Sequence, residues 1–203
     1  MDPRPQLLSA LAVVVDGRGA PAARVAASLR AVGVGRVAHG TYAAEPALWS
    51  AHPWAGVVFV RDRALDPSVA EPWRRGGVLH LPVRVDAEGA EVGPLVLPGR
   101  TSCARCHAMV RALSARTPRE VPATAPSGTS PRPADPATIE LAAAIAALTV
   151  RQALLGDHDL AGVSSEFRSG RPEVVHRHWP RQLDCSCGDR ARAPWAAHAT
   201  MGA

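Results

Sequence analysis

Apolar positions along the chain fall into short runs separated by turns, with a stretch of helical spacing between the first two runs. Residues 11–15 and 56–60 are continuously apolar, which is typical of parallel strands covered on both faces. Residues 20–32 repeat apolar side chains every three or four positions, which predicts a helix that ends at Gly33. Strands alternating with helices in this way indicate an α/β fold.

The later part of the chain continues this pattern. The predicted strands are 34–38, 78–85, 92–97, 163–168 and 173–179, and the predicted helices are 68–75 and 139–155. Turn residues at 86–89 and 169–172 indicate that each joins the two strands beside it. No stretch of about 18 apolar residues is present, so we expect no membrane span. The longest helix carries Glu140 and Arg151, as a packed soluble helix does.

Composition changes sharply in one segment, residues 114–138. About half of this segment is Pro, Ser or Thr, and Val121 is its one larger aliphatic residue. Such a segment buries too little surface to offset its ordering entropy, which predicts a mobile loop. We therefore divide the chain into a core at 1–113, a flexible linker or crossover loop at 114–138, a helix with a C-terminal hairpin at 139–188, and a disordered tail at 189–203.

The charge and composition of the chain limit the reactions and binding partners that we expect. All 23 basic residues are Arg, and the sequence contains no Lys and no Asn, so mechanisms that need an ammonium or an Asn amide are excluded. The net charge is +5, but the Arg residues are scattered and aromatic residues make up only 4%, so we do not expect a nucleic-acid surface. No convincing export signal precedes the first strand, and we expect a cytoplasmic protein with reduced thiols.

The four cysteines form two close pairs, Cys103-x-x-Cys106 and Cys185-x-Cys187. Four soft ligands are the number that a tetrahedral structural zinc ion requires. Bringing together pairs separated by nearly 80 residues costs roughly 4 kcal/mol of loop entropy. A structural zinc ion contributes about 10–16 kcal/mol, so the metal covers that cost. An iron–sulfur cluster uses the same ligands and stays an alternative, whereas disulfides are not expected in the cytosol.

The segment from Cys103 to His107 also matches the c-type haem attachment motif, with Met109 nearby. Covalent haem attachment requires export and leaves Cys185 and Cys187 unexplained, so we prefer zinc. We expect His107 to face solvent or to support a cysteine ligand.

A glycine-rich turn, Gly17-Arg18-Gly19-Ala20-Pro21-Ala22, lies between the first strand and the first helix. In a dinucleotide fold such glycines allow a tight turn and the close approach of a phosphate. Alternatively the turn binds no ligand, and Gly19 and Ala22 only let the helix lie close to the sheet. Elsewhere, His176 and His178 share a strand face that we expect to be solvated, and we expect Asp62 and Asp66 to be simple loop residues.

Two sets of motifs resemble known families. The first set resembles the opening of the ThiF/MoeB-type adenylyltransferases, which share the fold of ubiquitin-activating enzymes. It consists of the first strand, the turn Gly17-x-Gly19-x-x-Ala22, the helix after it and residues 33–37. The second set is more specific to one family. It consists of residues 81–83 and 92–100, both cysteine pairs, and the His-Trp-Pro stretch before the second pair. They are similar to the ThiF-like cyclodehydratase-associated proteins of thiazole/oxazole-modified bacteriocin biosynthesis. The resemblance covers roughly 11–188.

This resemblance implies a Rossmann-like, ThiF-type sheet flanked by helices over residues 1–113, with a structural zinc ion bound by all four cysteines. It also implies a homodimer, and a role in presenting a ribosomally made precursor peptide to a separate ATP-using cyclodehydratase. In that family a winged-helix-like domain grips the leader peptide. About ten residues precede the first strand, so we expect that domain to be absent from this chain.

Active adenylyltransferases hold ATP with an acidic residue after the second strand, an Asn–Arg helix, a Lys and a magnesium-binding Asp. In this chain Glu45 is the nearest acidic candidate and Asp62 the only plausible magnesium ligand. We therefore predict a degenerate, non-adenylating, zinc-binding scaffold without ATP or magnesium, and we assign no catalytic residue. The alternatives are an active ATP-dependent adenylyltransferase that binds nucleotide at Gly17, Gly19 and Ala22, and a purely structural zinc protein.

Overall fold

The computed structural model describes residues 4–45, 54–116 and 133–188. The strands are β1 (Ala12–Asp16), β2 (Arg36–Gly40), β3 (Gly56–Arg61), β4 (Leu79–Asp86), β5 (Gly89–Val92), β6 (Val163–Arg168) and β7 (Val175–His178). The helices are α1 (Arg4–Ala10), α2 (Gly19–Ala31), α3 (Pro67–Arg75), α4 (Ala104–Arg116) and α5 (Pro136–Leu154).

All seven strands form one sheet in the order β2-β1-β3-β4-β5-β6-β7. The first four of these in space run parallel, and the pairs from β4 onward are antiparallel. The mixed α/β architecture that the hydrophobic pattern predicts is therefore confirmed. The parallel half follows from strand–helix–strand units, and the antiparallel half follows from two hairpins.

Helices cover both faces of the sheet. On one face α2 and α5 pack against inward-facing valines and leucines, and four buried alanines of α5 allow the close approach: Ala142, Ala143, Ala146 and Ala147. On the other face α3 and the start of α4 cover a smaller core around Phe59 and Trp73. The Trp73 indole is fully buried and donates to the carbonyl oxygen of Ala44 at 3.2 Å. The tight strand–helix packing explains how a sequence with few aromatic residues builds a core.

Helix α5 is long and apolar enough to cross a membrane by length and composition alone. In this structure it packs against α2 and the sheet, and Glu140 forms an ion pair with Arg24 of α2 at 2.7 Å. This packing is that of a core helix in a folded domain.

The strand predicted at 92–97 is wrong in its position. Strand β5 ends at Val92, and Gly93 and Pro94 follow, with φ of +101° at Gly93 and a cis peptide bond between the two. Pro94 has no N–H to donate to a strand ladder. Beyond it, Leu95 and Val96 make only isolated bridges.

Two helices were not predicted, α1 and α4. Helix α4 begins within the first cysteine pair, and Cys106, Met109, Val110 and Leu113 already follow helical spacing. Much of the linker predicted at 114–138 lies outside the described residues; within them, α4 extends to Arg116 and α5 begins at Pro136. The tail predicted at 189–203 also lies outside the described residues.

Candidate functional site

Four sulfur atoms converge where the start of α4 meets the segment after β7. Cys103 and Cys106 lie just before and within the start of α4, and Cys185 and Cys187 lie just before and within a short 3-10 turn, Ser186–Gly188. All four side chains are buried, and their Sγ atoms lie within 4.8 Å of one another. The Sγ–Sγ distances are 3.9 Å for 103–106, 3.7 Å for 103–185 and 3.5 Å for 106–187.

These distances fit a tetrahedral metal site. A zinc–sulfur bond of about 2.3 Å gives a tetrahedron with S–S edges of about 3.8 Å. A disulfide requires about 2.05 Å, and all four thiols are free. The positions of the four cysteine sulfurs are therefore consistent with a site for one metal ion.

The electrostatics of the cluster also favour a cation. Burial raises the pKa of the Cys103 and Cys187 thiols. At Cys106 burial acts in the same direction, but hydrogen bonds outweigh it and lower the pKa; one comes from the backbone N–H of Gln182, 3.5 Å from Sγ. Several thiolates cannot share a buried volume without a compensating positive charge. A divalent ion bound by the four sulfurs would supply that charge.

His107 does not face solvent, contrary to one of the two expectations from the sequence. It is buried, and its Nε2 lies 2.9 Å from Ser102 Oγ, which donates to the carbonyl oxygen of Trp179 at 2.8 Å. Because the hydroxyl proton is used on Trp179, Nε2 of His107 must be the donor to Ser102. Burial, and secondarily Arg111, lowers the pKa of His107 to about 3, so the ring is neutral. This chain of bonds ties α4 to the C-terminal segment beside the sulfurs.

The glycine turn lies at the carboxyl end of β1 and opens α2, where it was predicted. A Cβ at Gly17 would lie 2.8 Å from the Val60 carbonyl oxygen and 2.9 Å from the Ala22 Cβ. Gly19 has a φ of +71°, a conformation that favours glycine. Close packing of β3 and α2 thus requires these small residues, and nucleotide binding at Gly17, Gly19 and Ala22 stays a prediction.

Beside this turn lies a buried ion pair that the sequence reasoning missed. Asp16 ends β1; its Oδ2 accepts from the backbone N–H of Ala44 at 2.8 Å, and its Oδ1 accepts from Arg61 Nη2 at 2.6 Å. An acidic residue that ends a buried apolar strand was the available signal. Glu45 and Asp62 are exposed, and within the described residues neither belongs to a metal-ligating cluster.

The remaining candidates have structural partners. Asp66 caps α3 by accepting from the backbone N–H of Ser68. His176 Nδ1 lies 3.0 Å from Ser165 Oγ on the neighbouring strand, and both His176 and His178 are exposed on β7.

The fold and the cysteine cluster define a mixed α/β protein with a candidate four-thiol metal centre. Neither a family model nor a curated protein matches the sequence. Solved structures do match the fold. A heterocyclase in complex with substrate and cofactor matches with a TM-score of 0.63 and 17% identity, over 91% of this chain and 26% of the heterocyclase.

Two further structures agree. The heterocyclase TruD matches with a TM-score of 0.59 and 19% identity over 91% of this chain and 29% of TruD. MccB of E. coli matches with a TM-score of 0.63 and 16% identity over 93% of this chain and 68% of MccB. The chain thus spans about a quarter of the heterocyclases and about two thirds of MccB. At these identities the comparison shows the fold, and the expected resemblance of this chain to proteins of the heterocyclase and MccB fold is confirmed.

Proposed function

We propose that this chain is a zinc-stapled, non-adenylating scaffold that binds a peptide or a partner enzyme during modification of a ribosomally made peptide. The observation that carries the proposal is the tetrahedral cluster of four thiols within a fold shared with heterocyclases and with MccB. One heterocyclase structure contains substrate, and MccB, a microcin C7 biosynthetic enzyme, was solved with N-formylated MccA. The peptide-binding role is brought to this chain by analogy of fold.

Zinc is the ion that this donor set suits best. Four protein sulfurs leave no open coordination position, which is typical of structural rather than catalytic zinc. The ion would join the start of α4 to the segment after β7, and so fasten the last hairpin to the body of the sheet. An iron–sulfur cluster would use the same thiolates, but it would colour the protein. The visible absorption spectrum therefore separates the two.

The charged groups near the glycine turn support binding rather than nucleotidyl transfer. Stabilising a transferring phosphoryl centre needs placed cations and a metal ion. Arg61, which lies beside the end of β1 in the sheet, already donates to the carboxylate and the carbonyl oxygen of Asp16. The exposed Asp62 has no second carboxylate near it that would complete a metal-ligating cluster in the described part of the chain.

Binding and metal content can be tested on one sample. The full chain would be expressed with any short peptide and any heterocyclase that the neighbouring genes encode, purified under reducing conditions, and analysed for metal. We expect one zinc ion per chain and saturable binding of the peptide or the heterocyclase by calorimetry. Failure to bind either of them with zinc in place would contradict the scaffold. A homodimer and a cytoplasmic location remain part of this proposal and are measured by light scattering and by fractionation of the native host.

A second candidate function is ATP-dependent adenylylation of a peptide or sulfur-carrier C-terminus. The turn from Gly17 to Ala22 supports it, because this turn opens α2 in a fold shared with MccB, which was solved with ATP. Pyrophosphate exchange with magnesium and the neighbouring small proteins is the test. Pyrophosphate exchange above background would favour the adenylyltransferase over the scaffold. The absence of exchange would exclude the adenylyltransferase.

A further inference from the structure

A cavity of about 260 Å³ lies between the strands β3, β4 and β5 and helix α4, on the sheet face opposite α2 and α5. Its wall includes neither the glycines of the β1–α2 turn nor the four cysteines. Four arginines line it, Arg61, Arg63, Arg84 and Arg111, and Glu91 is the single acidic residue among the lining residues. The lining therefore carries more arginines than carboxylates, and Asp16 and Asp86, outside the lining, each pair with one of these arginines.

Two of the arginines are held in place by carboxylates. Arg61 is bound to Asp16, and Arg111 donates to Glu91. The guanidinium carbon of Arg111 also lies 4.8 Å from the centre of the Trp179 ring, which fixes the plane of the guanidinium. These ion pairs fix the positions of the two side chains and offset part of their charge.

The other two arginines keep N–H donors for a ligand, although Arg84 is also ion-paired, with Asp86 and at longer range with Glu91. Arg84 gives one N–H to Asp86 at 3.0 Å, but its Nε is buried without a hydrogen-bond partner, 3.8 Å from Glu91 Oε2. Arg63 is exposed at the rim, and no carboxylate of the described residues forms an ion pair with it. A buried donor without an acceptor is costly, and an arriving oxyanion would remove that cost.

The apolar part of the cavity wall and the volume of the cavity limit which anions fit. Phe59, Leu65, Pro82, Pro94 and Ala108 present apolar surface to the cavity. The volume lies below the roughly 300–1,000 Å³ of pockets that hold drug-sized ligands, so it suits one or two residues rather than a whole nucleotide. An acidic side chain or a C-terminal carboxylate on an apolar stem has this combination of charge, size and apolar surface.

We propose that this arginine-lined cavity binds a carboxylate of an acidic peptide, with Arg84 and Arg63 as the groups that contact it. The proposal rests on the proposed function in one respect, that the bound molecule is a peptide. It adds the chemistry that the peptide must carry and the place where the carboxylate binds. Inorganic phosphate offers a similar oxyanion, and the experiment separates the two sources.

The test uses the full chain and two fluorescent synthetic peptides, one with glutamates between leucines and one with glutamines in their place. We expect anisotropy to show saturable binding of the glutamate peptide, weakened by salt, and at least tenfold weaker binding of the glutamine peptide. Arg84→Gln should weaken binding of the glutamate peptide about tenfold or more, because a charge-assisted hydrogen bond is lost. The exposed Arg63→Gln should weaken it severalfold, and a stability change cannot explain that effect.

Arg171→Gln is the matched control, since it removes one positive charge from an exposed loop away from the cavity. Equal affinity for the two peptides, or equal losses in Arg171→Gln and Arg63→Gln, would overturn the carboxylate site. Binding of millimolar inorganic phosphate by calorimetry, weakened by Arg84→Gln, without binding of the glutamate peptide would overturn the peptide assignment. If a precursor peptide encoded by a neighbouring gene binds and its affinity is unchanged by the Arg84 and Arg63 substitutions, this inference fails while the scaffold function stands.

Discussion

Replacing one cysteine of the thiol cluster should release the metal ion and destabilise the protein. Cys185→Ser keeps the size of the side chain but removes the sulfur that lies 3.7 Å from Cys103 Sγ. A structural zinc ion contributes about 10–16 kcal/mol, and Cys185→Ser should release it, so we expect the variant to lose about 4 kcal/mol of stability or more. A loss of this size should lower the melting temperature of a domain of about 200 residues by about 10 °C.

Three measurements check this prediction: zinc content by elemental analysis, thermal unfolding followed by circular dichroism, and the same unfolding after chelation. Ser186→Ala is the control, because Ser186 is exposed in the same 3-10 turn between two of the cysteines. We expect Ser186→Ala to keep one zinc ion and the wild-type melting temperature. Chelated wild-type protein should melt near Cys185→Ser.

The double variant Cys103→Ser/Cys185→Ser sharpens the test. When two residues share one metal ion, losing the ion with the first substitution leaves little for the second to remove, so the effects should not add. Full additivity would refute the shared site. The reasoning would also be refuted if Cys185→Ser retained stoichiometric zinc, or if a chelator left the melting temperature of the wild-type protein unchanged.

Three further predictions concern the packing and the buried histidine. Gly17→Val should lower stability by about 1–3 kcal/mol, because its Cβ would meet the Val60 carbonyl oxygen at 2.8 Å, while Gly40→Ala, whose Cβ meets nothing within 4 Å, should melt like the wild type. Trp73→Ala should lower the free energy of unfolding by about 3–5 kcal/mol, measured in urea, because it empties a fully buried site. Burial lowers the pKa of His80 to about 4, below its value of about 6.5 in an unfolded chain. Protons therefore bind the unfolded state preferentially, and stability should fall by up to about 3 kcal/mol as the pH drops from 6.5 to 4. Urea titrations of His80→Gln, which lacks this group, should show a correspondingly smaller fall, and an identical pH dependence would contradict the assignment.

Elements whose formation is local were predictable from the sequence. Continuous apolar runs placed β1 and β3, and β6 was predicted with the bounds Val163–Arg168 that the structure has. The sequence pattern gave a wrong prediction where hydrophobicity and backbone conformation favour different structures. The apolar character of 92–97 predicted a strand, but the absent N–H of Pro94 and the left-handed φ of Gly93 end the ladder. Helix α4 was missed because two of the four residues that carry its helical spacing, Cys106 and Met109, were considered only as candidate metal or haem ligands.

Residue types and short-range spacing were enough to predict the α/β class, the resemblance of fold and the four cysteines as candidate metal ligands. Only the tertiary structure decided that the two cysteine pairs meet within 4.8 Å, that Asp16 pairs with Arg61, and that His107 is buried. It alone brought four arginines from β3, β4, α4 and the loop after β3 to one cavity. Contacts between residues tens of positions apart depend on how the sheet orders its strands, and no periodicity along the chain encodes that order.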